Sequence, residues 1–133
     1  MFRKKVNKIL VFMLILIIAF VGKTLARQIK ELVEFKVTYI GNNTGKLLKE
    51  GPDNSPFVVN LRPCRELSPI KIHATLYNAY NKRRSKEHVG VECGDRKEFD
   101  NWASRGYLYY VRLARENIWD GAIAITGSWS PDR

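Results

Sequence analysis

The sequence has little of the material from which catalytic and metal sites are built. It contains two cysteines and two histidines in 133 residues. No G-x-S-x-G, H-E-x-x-H or glycine-rich phosphate-binding motif is present, and neither histidine is spaced as the base of a nucleophile. Only His88 lies near Cys93 in the sequence as a further metal ligand, so we expect no metal site. The sequence therefore predicts no catalytic residues, no cofactor and no enzyme activity. A small enzyme assembled from residues distant in sequence is a remote alternative.

Acidic residues are missing from the N-terminal segment. Residues 1–26 hold five of the 23 basic residues and none of the 13 acidic ones. Four of these positive charges lie in the first eight residues, and an unbroken apolar run follows at residues 9–22. The order of basic, apolar and then small residues is typical of an export signal. We therefore expect residues 27–133, with a net charge of +5 out of the total +10, to form an extracytoplasmic domain.

The N-terminal segment is compatible with cleavage as a signal peptide and with retention as a membrane anchor. The apolar run covers about 21 Å as a helix, which suits a signal peptide cleaved near Ala26 and would leave a secreted or periplasmic domain. Residues 6–26 cover about 31 Å, enough to cross a bilayer, with Lys8 and Lys23 reaching its two interfaces. The excess of Lys and Arg before the run places the N-terminus in the cytosol. We favour a retained signal-anchor, and hence a single-pass protein of the cytoplasmic (inner) membrane.

The domain shows the alternating pattern of β-strands. Turn clusters rich in glycine, proline and asparagine separate short segments in which apolar and polar residues alternate. The connections between these segments are short, which favours antiparallel pairing over parallel βαβ units. The predicted strands are residues 33–39, 57–61, 70–80, 88–93, 107–114 and 122–129.

Two helices are predicted beside these strands. Residues 27–33 continue the apolar spacing of the N-terminal segment and predict a short amphipathic helix. Residues 95–105 predict a second helix, with Asp95 as N-cap, Glu98 as its capping-box partner and Gly106 after the last turn. The fold class is therefore α+β and mainly antiparallel β: an N-terminal apolar helix, then a five- to six-stranded sheet or sandwich with one short helix. An all-β sandwich or barrel is the alternative.

The two cysteines predict a disulfide. Cys64 and Cys93 lie beside strand ends, 29 positions apart, in a chain that we expect to be exported. Closing a loop of that size stabilises a domain by roughly 3–4 kcal/mol in the chain-entropy model.

Two groups of side chains are candidate binding surfaces. The first is a basic loop after the third strand, and the second is a set of tyrosines that would form an aromatic platform if they share one exposed face. The competing interpretations are a charged hairpin tip that only confers solubility, and aromatic packing within the core. The residues concerned are Lys82, Arg83, Arg84 and Lys86 in the loop, and Tyr77, Tyr107 and Tyr109 among the tyrosines.

These features favour an interaction protein. We expect a non-catalytic, membrane-anchored protein that binds another envelope protein, as an accessory or stabilising subunit of an envelope complex or as an immunity or exclusion factor. A carbohydrate- or lipid-binding module that uses the tyrosines is the first alternative, and a pilin-like subunit is another. Nucleic acid is not an expected partner, because the domain is expected outside the cytosol and half of the net positive charge belongs to the export segment.

Overall fold

The computed structural model describes residues 27–64 and 70–133, which form nine β-strands and no helix. All the pairings between these strands are antiparallel. The strands are β1 (Lys30–Val37), β2 (Asn42–Asn43), β3 (Leu47–Leu48), β4 (Phe57–Leu61), β5 (Lys71–Asn78), β6 (His88–Glu92), β7 (Arg96–Phe99), β8 (Leu108–Arg115) and β9 (Ile123–Ser130).

The strands form two sheets with one core between them. Sheet I has the order β1-β9-β4-β7, and sheet II has the order β2-β8-β5-β6, with β3 also pairing with β8. Buried side chains from both sheets, such as Trp129 in sheet I and Leu76 in sheet II, belong to a single hydrophobic cluster. The prediction of a mainly antiparallel β domain is confirmed, and the all-β alternative fits the described residues. The predicted N-terminal apolar helix of residues 1–26 lies outside them.

The predicted helix at residues 95–105 is wrong. The segment contains strand β7, which pairs with β4, followed by an irregular loop. The helical spacing would place Phe99, Trp102 and Ala103 on one buried face. Phe99 and Ala103 are buried, at a strand end and in a loop, but Trp102 is 49% exposed. The Asp95 carboxylate accepts a hydrogen bond from the Glu92 backbone within a turn and does not cap a helix. Pairing with residues of β4 that lie 36 to 42 positions earlier in the sequence outweighs the local helix signal.

The predicted helix at residues 27–33 is also wrong, because β1 begins at Lys30 and pairs with β9. The alternation predicted from Val33 onward is interrupted as well. A bulge lies between Leu32 and Phe35, with Glu34 at a φ of 46°. The extra residue shifts the pattern, so Leu32 is buried while Val33 is exposed.

The six predicted strands are all present, with ends that differ by a few residues. β2 and β3 were not predicted, because a strand of two residues has no period to detect. The side chains of β5 alternate as expected, with Ile72, Ala74 and Leu76 in the core. In a regular strand Val89 would point inward together with the buried Val91, but it is exposed, because Gly90 adopts a φ of 79° where the β5–β6 register shifts.

Gly127 allows the central pairing of sheet I. It lies on β9 opposite both Leu32 of β1 and Leu61 of β4. A Cβ at this position would overlap the backbone carbonyl oxygen of Asn60, and backbone cannot give way as a flexible side chain can. Glycine is therefore required for β4 to approach β9 closely.

The predicted disulfide between Cys64 and Cys93 is present, with a Cα–Cα distance of 5.4 Å. It joins the segment after β4 to the segment after β6, so it connects the two sheets. Both cysteines also pack against the hydrophobic cluster.

The sandwich has two ends, which we call the N-terminal end and the distal end. The chain enters at the N-terminal end, where the Gln28 side chain accepts a hydrogen bond from the Leu48 amide (2.7 Å) and the Lys49 amide donates to the Tyr107 carbonyl (3.0 Å). The distal end holds the disulfide and the connections that follow β1 and β8. Strands of eight residues separate the ends by about 26 Å. No helix in residues 27–64 or 70–133 is long and apolar enough to cross a membrane.

Candidate functional site

The three tyrosines named from the sequence do not share a face. Tyr77 lies opposite Tyr110 in the β5–β8 pairing, so these two point to the same side of sheet II. Tyr109 points to the other side and is buried in the core. Its hydroxyl donates to the Ser104 carbonyl and accepts from the Ser104 amide, both at 2.9 Å, and burial raises its pKa. The predicted platform of Tyr77, Tyr107 and Tyr109 is therefore not formed.

Tyr77 is engaged in packing on the outer face of sheet II. Its ring stacks on that of Tyr110, with centroids 5.4 Å apart and planes 6° from parallel. The Arg112 guanidinium carbon lies 5.0 Å from the Tyr77 centroid, within reach of a cation–π interaction. The Tyr110 hydroxyl donates to the Asn81 side chain in the β5–β6 connection. These contacts fasten that connection to the sheet.

The basic loop is an ordered hairpin tip. The Asn78 side-chain oxygen accepts hydrogen bonds from the amides of Tyr80 (3.0 Å) and Lys82 (2.9 Å), which closes a tight turn. Backbone pairing with β5 then resumes, because the Arg84 amide donates to the Leu76 carbonyl.

The four cations of the loop do not act as one patch. Lys82 and Arg84 line a groove at the N-terminal end, whereas Arg83 lies 3.8 Å from the Glu87 carboxylate. Lys86 is exposed and does not line that groove. Of the four cations, therefore, only Lys82 and Arg84 line the same groove.

This hairpin groove, lined by Asn78, Ala79, Tyr80, Lys82, Arg84, Ser104, Tyr107, Leu108 and Tyr109, has a volume of about 380 Å³. It brings two of the predicted loop cations together with the predicted Tyr107, although the two groups are more than 20 positions apart in the sequence. Tyr80 and Tyr107 are exposed, and the backbone amide of Trp102 donates to the Arg84 carbonyl beside the groove. Cations beside exposed aromatic rings suit a ligand that combines negative charge with apolar surface.

An apolar surface at the distal end was not predicted. Ile118 and Trp119 occupy the middle of a turn after β8 and are 70% and 79% exposed. The turn is closed by hydrogen bonds from the Asp120 amide to the Asn117 carbonyl (3.0 Å) and from the Asn117 amide to the Asp120 carboxylate (2.9 Å). The turn therefore holds both side chains away from the sandwich. A tryptophan between Asn and Asp-Gly, where turns normally carry small or polar residues, was the available sequence signal.

A second turn extends the apolar surface. Tyr39 and Ile40 follow β1 and are exposed, Ile40 by 85%. This turn contacts the end of β8, because the Arg115 amide donates to the Thr38 carbonyl at 2.8 Å. We call Tyr39, Ile40, Ile118 and Trp119 the distal tip.

A polar groove of about 340 Å³ lies beside the distal tip on the outer face of sheet II. In it the His73 Nδ1 atom is 2.7 Å from the Glu87 carboxylate, a pair that can orient the imidazole ring. Within residues 27–64 and 70–133, no hydroxyl or thiol is hydrogen-bonded to that ring. His88 instead bonds the Asp100 carbonyl and stacks on Phe99, a packing role. The described part of the chain also has no cluster of three metal-ligating side chains.

A buried ion pair organises the N-terminal end. The Lys49 ammonium lies 2.7 Å from the Asp132 carboxylate and also donates to the Pro131 carbonyl at 3.0 Å. The carboxylate further accepts hydrogen bonds from the Ser55 hydroxyl and the Gly51 amide. Burial raises the pKa of Asp132, but the hydrogen bonds from Lys49, Ser55 and Gly51 outweigh it and hold the pKa below its ordinary value. The pair fixes the C-terminus against the connection before β4.

Comparison with known proteins finds no match to a protein-family model, to a curated protein or to a solved structure.

Proposed function

We propose that this protein is a non-catalytic, membrane-anchored protein of the cell envelope whose distal tip binds another envelope protein. In this proposal the chain crosses the cytoplasmic membrane once through residues 6–26, and residues 27–133 act outside the cytosol. The partner belongs to an envelope complex that this chain stabilises or inhibits.

The exposed Ile118 and Trp119 carry the proposal. Leaving large apolar side chains in water forgoes about 1.5–3 kcal/mol each relative to burial. A turn with its own hydrogen bonds presents them in a fixed position, so little conformational entropy is lost when a partner covers them. Tryptophan is also among the residues that dominate the binding energy of protein interfaces.

The position of the tip supports a membrane-bound partner. The chain enters the domain at the N-terminal end, and the tip lies about 26 Å away at the other end. A domain tethered in this way presents the tip away from the bilayer, where the extracytoplasmic parts of other membrane proteins lie. Confinement to one membrane raises the effective concentration of the two partners without further contacts.

Tip-dependent recovery of a partner tests this function. The intact protein is extracted from membranes and purified with its bound proteins, in parallel with Trp119→Ala and with Val89→Ala as the matched control. Val89 is similarly exposed, but it lies on β6 and belongs to neither the distal tip nor the hairpin groove. Loss of a central tryptophan weakens binding by at least about 2 kcal/mol, or roughly 30-fold, so one protein should disappear from the Trp119→Ala sample alone.

Two results would contradict the proposal. One is recovery of the same proteins with Trp119→Ala as with the unaltered chain. The other is an unaltered chain that brings no partner with it. A separate mass measurement of the protein from native cells tests the anchor, because a chain that begins at Arg27 has lost residues 6–26.

A further inference from the structure

The N-terminal end carries exposed aromatic and apolar side chains around the hairpin groove. Tyr80, Tyr107 and Leu108 line the groove and are all exposed. Trp102 is 49% exposed, and its backbone is hydrogen-bonded to Arg84. Four large side chains are therefore partly or largely in water at the end where the chain enters the domain.

Positive charge surrounds these side chains. Lys82 and Arg84 line the groove, and the exposed Arg27, Arg105 and Arg133 lie at the same end, against the exposed Asp53, Asp100 and Glu98, of which Glu98 lies 3.8 Å from Arg133. The distal turns, residues 38–41 and 116–121, contain two acidic residues and no lysine or arginine. The hairpin groove and the distal tip therefore differ in charge, although Arg62, Lys71 and Arg115 lie elsewhere at the distal end.

The chain itself limits how far this end can lie from the apolar N-terminal run. Five peptide units separate Gly22, the last residue of the run, from Arg27, and they span at most about 18 Å when fully extended. Within the domain, Gln28 bonds Leu48, and the next residue, Lys49, bonds the Tyr107 carbonyl. The groove therefore lies beside the segment that follows the apolar run by a few residues.

We propose that the N-terminal end rests on the bilayer and that the hairpin groove binds the anionic headgroups of its phospholipids. This rests on the proposed function in one respect, namely the retention of residues 6–26 as an anchor. Lys82 and Arg84 bind the phosphate groups, while Tyr80, Trp102 and Tyr107 lie at the level of the headgroups, where aromatic rings with a polar edge are favoured. Each cation near an anionic surface favours the docked state about fivefold.

Docking also fixes the orientation of the domain on the membrane. A flexible tether alone would allow the domain to take many orientations. Contact between the N-terminal end and the headgroups restricts these orientations and directs the distal tip away from the membrane.

Two tryptophans at opposite ends provide the test. The intact chain is reconstituted in vesicles whose acyl chains carry bromine, which quenches tryptophan fluorescence at short range. The vesicles consist of phosphatidylcholine, with or without about a third phosphatidylglycerol. Trp119→Phe leaves Trp102 as the reporter, and Trp102→Phe leaves Trp119. Both variants keep the buried Trp129 as a common background.

We expect quenching in the Trp119→Phe chain and not in the Trp102→Phe chain, and only in anionic vesicles. Raising the ionic strength from about 0.1 M to about 1 M shortens the screening length from about 10 Å to about 3 Å and should relieve the quenching. Replacing both Lys82 and Arg84 by alanine should lower the docked-to-undocked ratio about 25-fold. Both side chains are at least partly exposed, and the circular dichroism spectrum verifies that the variant folds.

Several results would overturn the inference. They are equal quenching of both reporters, quenching that is the same in neutral vesicles, and quenching that survives the double alanine variant. Binding of a soluble acidic peptide to the groove without any quenching of Trp102 would assign the groove to a protein ligand instead. The purification with Trp119→Ala tests the proposed function independently of lipid docking. A failure of partner binding is therefore distinguished from a failure of lipid docking.

Discussion

Removal of the Asp132 carboxylate should destabilise the domain more than any surface substitution. In the Asp132→Ala variant the Lys49 ammonium, whose side chain is fully buried, keeps only neutral oxygen partners. Loss of one partner of a buried ion pair costs about 3–5 kcal/mol. A domain of about 100 residues has a total stability of about 5–15 kcal/mol, so the variant should lose a large part of it. At about 4–8 °C per kcal/mol, Tm should fall by roughly 12–40 °C.

Urea unfolding of residues 27–133 with the disulfide intact, followed by the fluorescence of the buried Trp129, measures this loss. Asp100→Ala is the control, because Asp100 is exposed at the same end and its loss should change stability by less than about 0.5 kcal/mol. The double variant Lys49→Met with Asp132→Asn should recover about half of the loss or more, because no charge is then buried alone. A loss below about 1 kcal/mol for Asp132→Ala would refute the reasoning.

Three further predictions concern the fold. Replacing Cys64 and Cys93 by serine should cost about 2–5 kcal/mol in urea unfolding, and an unchanged midpoint in reductant would contradict the role of the disulfide. Gly127→Ala should cost about 1–3 kcal/mol of stability, because the added Cβ would overlap backbone atoms of β4. Gly121→Ala is the control, because a Cβ at Gly121 faces open space and should change stability little. Equal unfolding midpoints for the two variants would count against the close approach of β4 to β9. The depressed pKa of Asp132 stabilises the fold at every pH above its ordinary value of 3.8, and this contribution is lost as the pH falls through the folded-state pKa. The free energy of unfolding should therefore fall more steeply with decreasing pH for the unaltered domain than for Asp132→Asn. Parallel curves for the two proteins would contradict this prediction.

Strand alternation predicted the fold where one face of a strand is buried and the other is wet. β5 is the clearest example, because Ile72, Ala74 and Leu76 are buried. On its other face Lys71 is exposed, His73 and Tyr77 are half-buried, and only Thr75 is buried. The disulfide followed from the even cysteine count in a chain expected to be exported. The prediction worked best, therefore, where a local pattern and the tertiary structure agree.

The sequence misled where a local pattern and long-range pairing disagree. Phe99 and Ala103 have helical spacing. In the structure, however, Phe99 lies in the core at the end of β7, which pairs with β4, and Ala103 lies in the core as part of the following loop. The bulges at Glu34 and at Gly90 shift the alternation by one position, so Val33 and Val89, which precede them, are exposed, while Val37 and Val91, which follow them, are buried. Nothing in the sequence marks the bulge at Glu34, whereas an isolated glycine inside a strand pattern, such as Gly90, is a recognised sign of a bulge.

The candidate surfaces were predicted only in part. Lys82, Arg84 and Tyr107 were named from the sequence, but their meeting in one groove depends on the β5–β8 pairing. The Lys49–Asp132 pair joins residues 83 positions apart, which no local pattern can indicate. The distal tip was not predicted, although Trp119 lies inside a turn. Large apolar residues in a sequence are usually assigned to the core.

Photo-crosslinking in living cells tests the central claim, namely that the distal tip meets another envelope protein, most directly. A photoreactive amino acid replaces Ile118 at the tip in one chain and Val89, which is similarly exposed on β6, in a second chain. Irradiation should yield a single discrete protein adduct from position 118 and none from position 89. An absence of adduct at position 118, or the same adduct from both positions, would contradict the account.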